Sequence, residues 1–239
     1  MISVCIATYN GEKYIKQQLE SILCQLNIDD EIIVSDDQST DNTVNIIMNI
    51  GDTRIKVIEG PGKKSPTFNF ENALRQAKGD YIFLADQDDV WKPNKVEICM
   101  RWLMEYDCVI SDASMTNENL KVIEESYFKV HGTKYGRKFN TIIKNGYMGC
   151  CMAFTKQVLE DSLPFPKDIP LHDIWIGNVA AYWHNVRFIN DKLILFRCHN
   201  DNNSFTAKNK SGFSPIKMLK FRLTIVKDII IKQLKKYVG

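Results

Sequence analysis

Three carboxylates stand within four residues of one another in this sequence. Asp86, Asp88 and Asp89 directly follow the apolar run Asp80–Ala85. Carboxylates this close raise one another's pKa values or require a cation, and Mg²⁺ or Mn²⁺ prefers oxygen ligands from carboxylates and substrate phosphates. Such a cation would stabilise a departing diphosphate as a Lewis acid. The alternative is a solvated acidic turn that caps a helix at Pro93.

A second acidic pair, Asp36 and Asp37, ends another apolar run, Glu31–Ser35. One of these carboxylates could accept a hydrogen bond from a pyrimidine N3–H or from a ribose hydroxyl. It would then select pyrimidine nucleotides, because a buried acceptor left unpaired rejects the wrong base. The alternative is an acidic cluster at the N-terminus of the next helix.

Strands and helices alternate between these clusters. Five apolar runs predict strands, at residues 2–7, 31–35, 54–58, 80–85 and 108–111. Apolar residues at helical spacing predict helices between them. The alternation predicts an α/β fold with a mainly parallel central sheet and helices on both faces. Ligands bind at the carboxyl ends of such strands, so Thr8-Tyr9-Asn10 and the two acidic clusters should meet at one edge.

The composition is ordinary for a soluble globular protein. Of 239 residues, 44% are hydrophobic and 25% are charged, and no apolar run reaches the roughly 18 residues that cross a bilayer. The first residues lack the features of a signal peptide, and the seven cysteines form no CxxC pair. These observations predict a cytoplasmic protein. The mildly acidic body excludes a nucleic-acid binder, whose basic groups should line the body.

Three segments resemble the signatures of the inverting glycosyltransferase family 2, which has the Rossmann-like GT-A fold. They are Ser-Val-Cys-Ile-Ala-Thr-Tyr-Asn (3–10), Ile-Val-Ser-Asp-Asp-Gln-Ser-Thr-Asp (33–41) and Ala-Lys-Gly-Asp-Tyr-Ile-Phe-Leu-Ala-Asp-Gln-Asp-Asp-Val-Trp (77–91). Their order and spacing match over residues 1–112. The last segment is closest to the branch that contains bacterial rhamnosyltransferases of cell-surface polysaccharide synthesis.

The resemblance implies a role for each matching residue. Asp86 and Asp88 match the Asp-x-Asp motif that holds the metal and the donor, with Asp88 as the direct ligand. Asp37 matches the carboxylate that contacts the pyrimidine. The loop that cradles the nucleoside matches Thr8, Tyr9 and Asn10.

Two departures from the family pattern concern the donor side. Gln38 stands where the family has glycine. The family's Arg-Asn before the fourth strand is replaced by Phe68-Asn69-Phe70, which leaves Asn69 as a donor contact without its basic neighbour. Lys63 or Lys64 could supply that missing charge.

The resemblance also places the catalytic base about 80 residues after the metal motif. There Asp173 fits, in Leu171-His172-Asp173-Ile174-Trp175, with His172 in place of the usual acid. The alternatives are that Asp173 caps its helix, or that Asp168 is the base.

Two further segments match the family near the acceptor side. Arg197-Cys198-His199 begins a segment that resembles Arg-x-His-x-x-Asn, in which His199 could contact the diphosphate or the metal, or could be an ordinary surface residue. Gly146–Gly149 matches a small-residue segment that borders the acceptor pocket, or it is a tightly packed core strand.

Residues 215–239 form a basic tail, with seven Lys/Arg and one acid. Apolar side chains recur there at steps of three and four, at Leu219, Leu223, Val226, Ile230, Leu234 and Tyr237. The pattern predicts a basic amphipathic helix. Such a helix packs on the enzyme body, pairs with a partner helix or binds an anionic membrane.

These observations predict an inverting glycosyltransferase with a nucleotide-sugar donor, a UDP- or dTDP-sugar such as dTDP-rhamnose. The acceptor would be a glycan or lipid-linked glycan, and the cofactor a divalent Mg or Mn ion. We expect a nucleotide-binding half (1–112), an acceptor and base half (113–205) and a helical tail (206–239). A sugar nucleotidyltransferase and an inactive glycan-binding relative are the alternatives, although Thr8–Glu12 lacks the Gly-rich basic loop of the former.

Overall fold

The computed structural model describes residues 1–133, 146–169, 171–199 and 215–238. Within these ranges the strands are β1 (Ile2–Thr8), β2 (Glu31–Asp36), β3 (Ile55–Glu59), β4 (Tyr81–Asp86), β5 (Val90–Trp91), β6 (Cys108–Thr116), β7 (Val122–Glu124), β8 (Met152–Thr155) and β9 (Val186–Arg197). The helices are α1 (Ile15–Leu23), α2 (Thr43–Asn49), α3 (Pro66–Leu74), α4 (Lys95–Leu103), α5 (Tyr127–His131), α6 (Lys156–Ser162), α7 (His172–Trp183) and α8 (Pro215–Val238).

All the described strands belong to one sheet, in the order β3-β2-β1-β4-β8-β6-β9-β5, with β7 paired to β6. The first four are parallel to one another. Their carboxyl ends therefore lie at one edge, which brings together Thr8, Asp36 and Asp86. This arrangement confirms the predicted α/β fold and its convergence of polar clusters.

Beyond β4 the sheet is mixed rather than parallel. Strand β8 lies antiparallel between β4 and β6, whereas β6 and β9 are parallel. The prediction of a mainly parallel sheet therefore holds only for its first half. Strand β8 directly follows a turn at Gly149–Cys151, with no helix between the two, and it runs antiparallel to its neighbours. The segment 186–197 forms one long strand, β9.

The central strands are covered on both faces. β1 and β4 are buried along almost their whole length, as continuous apolar runs of parallel strands require. The division expected at residue 112 falls inside β6, so the two predicted halves share one sheet and one core. The boundary expected after residue 205 lies outside the described residues.

Helix α8 has two different apolar faces. Ile225 and Ile229 are only 4% and 2% exposed and join the core, and the Lys232 ammonium donates to the carbonyl of Leu163 at 2.7 Å. The opposite stripe remains exposed, and it contains Leu219, Leu223, Ile230 and Leu234. Part of the helix thus packs on the enzyme body, as one alternative predicted. Among the described helices, none has the length and apolar character needed to span a bilayer.

Candidate active site

The acidic turn after β4 is tightly packed. The carboxylates of Asp86 and Asp89 and the thiol of Cys150 place one ligand-type atom each within 4.8 Å of one another. Burial, together with the charges of Asp88 and Asp173, raises the pKa of Asp86 to about 7. Burial also raises the pKa of Asp89 well above its usual range. The turn therefore carries carboxylates that resist being charged together.

This turn does not serve as a helix cap, so that alternative is wrong. Strand β5 follows it directly, and α4 begins only at Lys95, with Asn94 at its N-cap. The acidic pair after β2 is likewise separate from a helix, because α2 begins at Thr43 and has no acid in its first turn.

The end of β9 closes over the acidic turn. His199 Nε2 lies 2.7 Å from Asp88 Oδ2, and its ring lies 5.1 Å from that of Tyr14. The backbone N–H of Arg197 donates to Asp89 Oδ1 at 3.0 Å. His199 is thus part of the acidic site and not an ordinary surface residue, while residues 200–214 lie outside the described residues.

Asp173 lies in the first turn of α7, beside the Gly149–Cys151 turn that contacts the acidic turn. It is not the N-cap residue, which is Leu171, but its Oδ1 accepts the N–H of Ile174 at 2.6 Å, so it also stabilises the start of the helix. Burial raises the pKa of Asp173 to about 6, although backbone N–H groups of Ile174 and Gly149 donate to its carboxylate and partly oppose that rise. A carboxyl group with such a pKa is suited to accept a proton near neutral pH.

Asp168 does not share this position. It is exposed, and its charge contributes to the raised pKa of Asp228 on α8. Asp173, in contrast, raises the pKa of Asp86. The structure therefore brings Asp173, and not Asp168, to the acidic turn.

His172, next to Asp173, is buried, and neither ring nitrogen has a hydrogen-bond partner among the described residues. The ring stacks on Phe70 with centroids 4.0 Å apart. Burial lowers the pKa of His172 to about 3, so the ring is neutral. A Cβ on Gly149 would lie 2.7 Å from Nε2, which explains the need for glycine in this segment.

The loop predicted to cradle the nucleoside is tied to the acidic turn by Gln87. Its side-chain amide accepts from the Tyr9 N–H at 2.9 Å and donates to the Tyr9 carbonyl at 3.2 Å. A Cβ on Gly11 would lie only 2.5 Å from Gln87 Oε1, so glycine makes the approach possible. Asn10 is exposed, and its side-chain oxygen Oδ1 accepts the backbone N–H of Thr40 at 2.8 Å.

Thr8 and Asn69 support this loop from behind. The Thr8 hydroxyl is buried and donates to Asp36 Oδ1 at 2.9 Å. The Asn69 amide donates to the Thr8 carbonyl at 3.1 Å. The Thr8 hydroxyl and carbonyl therefore already have protein partners, whereas Asn69 Oδ1 is buried with no hydrogen-bond partner among the described residues.

Asp37 is also at this edge, under the loop at residues 60–65. Its carboxylate accepts the N–H of Gly62 at 2.6 Å and that of Ser65 at 3.3 Å. Gln38 adopts a positive φ of 64°, which accounts for glycine at this position in the family pattern. The Lys64 ammonium lies 5.4 Å from the centre of the Tyr9 ring, which places a cation near the nucleoside loop.

The residues at the turn fit a hard divalent cation. Asp86, Asp88 and Asp89 supply carboxylate oxygens whose mutual repulsion a cation would relieve. The Cys150 thiol is a poor ligand for Mg²⁺ or Mn²⁺, and burial keeps it protonated by raising its pKa, together with a hydrogen bond to Cys151. His199 Nε2 lies 2.7 Å from Asp88 Oδ2, so this oxygen already has a hydrogen-bond partner. The assignment of Asp86 and Asp88 as metal ligands therefore stays a prediction.

Several residues of the site gave no usable sequence signal. Gln18 donates to the Asp86 carbonyl at 2.8 Å, and the fully buried Lys95 donates to the Cys150 carbonyl at 3.2 Å. Both occupy helical positions that look like ordinary surface residues. Gln87 differs from these two residues, because it lies between two aspartates of the acidic motif, and that position indicated a place in the site.

The fold is the GT-A fold of solved glycosyltransferases. The structure aligns with Staphylococcus aureus TarS in complex with UDP-GlcNAc at a TM-score of 0.71, with 20% identity over 97% of this chain and 66% of TarS. It aligns with the mannosyltransferase PcManGT of Pyrobaculum calidifontis, solved with GDP-Man and Mn²⁺, at 0.63, with 15% identity over 100% and 75% of the two chains.

Sequence comparison assigns the family. The model of glycosyl transferase family 2 matches residues 3–163. The dTDP-rhamnosyl transferase RfbG of Shigella flexneri is 30% identical over 234 residues, which cover 86% of this chain and 77% of RfbG. The β-1,3-glucosyltransferase WfgD of Escherichia coli is 26% identical over 70% of this chain and 64% of its own. The chain belongs to glycosyl transferase family 2 and is an enzyme of that class.

The acidic turn generates the first prediction. Asp88→Ala should abolish Mn²⁺ binding and activity while the fold survives, because Asp88 is partly exposed and its loss removes a repulsive charge. Electron paramagnetic resonance of free Mn²⁺ measures the binding. Asp52→Ala, which removes a remote salt bridge to Arg54, is the control and should bind Mn²⁺ normally. Full activity in excess chelator would contradict the assignment.

Proposed function

We propose that this protein is an inverting glycosyltransferase that uses a UDP- or dTDP-sugar, with dTDP-rhamnose a candidate, in the synthesis of a bacterial surface polysaccharide. The observation that carries the proposal is the position of the Gly149–Cys151 turn between carboxyl groups that are far apart in the chain. The Gly149 N–H donates to Asp173, and the Cys150 thiol lies within 4.8 Å of carboxylate oxygens of Asp86 and Asp89. We infer that Asp173 is the proton acceptor and that the turn after β4 binds the diphosphate. The names of RfbG and WfgD support the donor classes.

The donor would lie along the edge formed by β1, β2 and β4. Asp37 and the Thr8-Tyr9-Asn10 loop would hold the nucleoside, with Asp86 and His199 toward the diphosphate and sugar. A divalent cation held by Asp86 and Asp88 would neutralise the charge of the departing diphosphate. In the family pattern an arginine precedes the asparagine that Asn69 matches, and this chain has no basic residue there. The Lys64 ammonium, near Tyr9, would supply that positive charge.

The acceptor hydroxyl would transfer its proton to the Asp173 carboxylate. As that proton moves, the acceptor oxygen forms a bond to the anomeric carbon of the donor sugar. The bond from that carbon to the diphosphate oxygen breaks, and the diphosphate leaves with the bonding electrons. Attack opposite the leaving group inverts the configuration. The raised pKa of Asp173 favours proton uptake at the moment of attack.

One assay separates this function from its alternatives. A thermal-shift screen of UDP-glucose, UDP-GlcNAc and dTDP-rhamnose with Mn²⁺ identifies the donor that binds. Nucleoside diphosphate should then be released in quantity only when a lipid-linked saccharide acceptor is added. Pyrophosphate release from a nucleoside triphosphate and a sugar phosphate would instead indicate a nucleotidyltransferase. Binding without release under all conditions would indicate an inactive relative.

The base assignment has its own test. Asp173→Asn should lower kcat by roughly 10²–10⁴-fold with donor affinity nearly unchanged, because a general base acts in the transition state. At saturating Mn²⁺, wild-type kcat/KM should rise with pH through about 6 and level off above it, since only the ionised carboxylate accepts a proton. The variant should lack that rise. If Asp168→Asn is inactive and Asp173→Asn is not, Asp168 is the base.

We also propose that the exposed stripe of α8 binds an anionic membrane, where a lipid-linked acceptor would be found. Leu223 and Leu234 are 62% and 60% exposed, and the exposed side chains of Lys220 and Lys227 flank the stripe. Each basic group near an anionic surface contributes on the order of 1 kcal/mol. The protein would then be peripheral at the cytoplasmic face of the membrane.

Vesicle sedimentation tests this proposal without removing the packed face. The wild-type protein should sediment with phosphatidylglycerol vesicles and be released by salt. Replacing Leu219, Leu223, Ile230 and Leu234 together by serine should abolish sedimentation, whereas the distant exposed pair Met48→Ser/Met104→Ser should not. If the quadruple variant changes only the molecular mass in solution, the stripe pairs with a second copy and not with a membrane.

A further inference from the structure

The side chain of Arg197 is buried beside the acidic turn. Arg197 begins the segment that resembles Arg-x-His-x-x-Asn, but from the sequence only His199 of that segment has an assigned role. The residue is 2% exposed and ends β9. Its Nε donates to the carbonyl of Asp88 at 2.7 Å, and its own backbone N–H donates to Asp89 Oδ1 at 3.0 Å. One residue therefore holds two consecutive residues of the turn, one through its backbone and the other through its side chain.

The rest of the guanidinium anchors the turn to distant parts of the fold. Nη2 donates to Gln17 Oε1 on α1 at 2.8 Å, and Nη1 donates to the carbonyl of Glu118, after β6. The guanidinium carbon lies 4.4 Å from the centre of the Tyr14 ring. Because the guanidinium is planar and rigid, these contacts fix the direction of the Asp88 carbonyl.

The anchored turn is under electrostatic stress. Asp86, Asp88 and Asp89 repel one another, and an unrestrained turn would rotate its carboxylates apart into solvent. Such a rotation would separate the oxygen atoms that a cation has to bind together. The contacts of Arg197 oppose it at Asp88 and Asp89, and His199, two residues further on, meets the Asp88 carboxylate itself at 2.7 Å.

We propose that Arg197 is a positioning residue that holds the Asp88–Asp89 turn in the geometry that binds the divalent cation. This inference rests on the proposed function, since it assumes that Asp88 takes part in cation binding. It assigns Arg197 no contact with the substrate. The expected consequence is on cation affinity, since replacing groups that orient metal ligands lowers metal affinity about 10–100-fold.

The test compares two arginines that make similar contacts in different places. Arg197→Lys keeps the positive charge, but an ammonium group cannot donate to the three separate acceptors that the planar guanidinium reaches. Arg54→Lys is the matched control, because Arg54 also bonds a side chain, Asp52, and two carbonyl groups, those of Leu23 and Leu26, far from the turn. Mn²⁺ affinity is measured by electron paramagnetic resonance with UDP present, and the midpoint of thermal unfolding is measured in parallel.

Arg197→Lys should bind Mn²⁺ at least about tenfold more weakly than wild type, with UDP binding in the absence of metal unchanged. Arg54→Lys should lose stability and keep wild-type Mn²⁺ affinity. If Arg197→Lys fails to fold, Gln17→Ala decides the question, since Gln17 is exposed and its loss frees one arm of the guanidinium. It should weaken Mn²⁺ binding by a smaller factor.

Two results would overturn the inference. One is wild-type Mn²⁺ affinity in Arg197→Lys, or in Gln17→Ala where the former does not fold. The other is an equal loss of affinity in both arginine variants, which would show a general effect of lower stability. Failure of the wild-type protein to bind Mn²⁺ would contradict the proposed function itself, and with it the inference. If Asp88→Ala loses Mn²⁺ binding while Arg197→Lys and Gln17→Ala keep it, the proposed function is supported and the role of Arg197 is not.

Discussion

The repulsion among four carboxylates is the constraint on which the rest of this structure depends. Asp86 ends β4, Asp88 and Asp89 follow it, and Asp173 lies in the first turn of α7. Burial destabilises the ionised forms of Asp86, Asp89 and Asp173, and neighbouring charges add to this at Asp86 and Asp89. An arrangement that costs stability in the free protein persists only where the surrounding structure enforces it. The enforcement comes from β9 on one side and from the Gly149–Cys151 turn on the other.

The same interactions join parts of the site that have different tasks. Gln87 connects the acidic turn to the loop at Tyr9, and the carbonyl of Thr8 accepts hydrogen bonds from Asn69 and from the Asp37 N–H. The positions that we propose for the nucleoside and the cation are therefore linked through hydrogen bonds of only a few residues. A change in any one of these side chains alters the support of its neighbours as well as its own contact.

The sequence predicted the first half of the fold better than the second, for a physical reason. Buried parallel strands are continuous apolar runs, so β1, β2 and β4 were visible with the polar ends that carry the site. Strand β8 contains only Met152–Thr155. Its position in the sheet depends on pairing with β4 and β6, and a local pattern of apolar residues does not predict such pairing. Arg197 was recognised only as part of a family-like segment, and its contacts were not predicted, because its partners Gln17 and Glu118 are remote in the chain. Asp173 was found through family resemblance, and its proximity to Asp86 required the fold.

Strand β6 sets a limit on how such enzymes can be recombined. It runs from Cys108 to Thr116 and pairs with β8 at its start and with β9 along its whole length. A chimera joined at residue 112 would take the two parts of this strand from different parents and mismatch its ladder with β9. The segments before and after residue 112 are thus not interchangeable modules. A recombination point before Cys108 would take β6 and β9, and with them their ladder, from one parent.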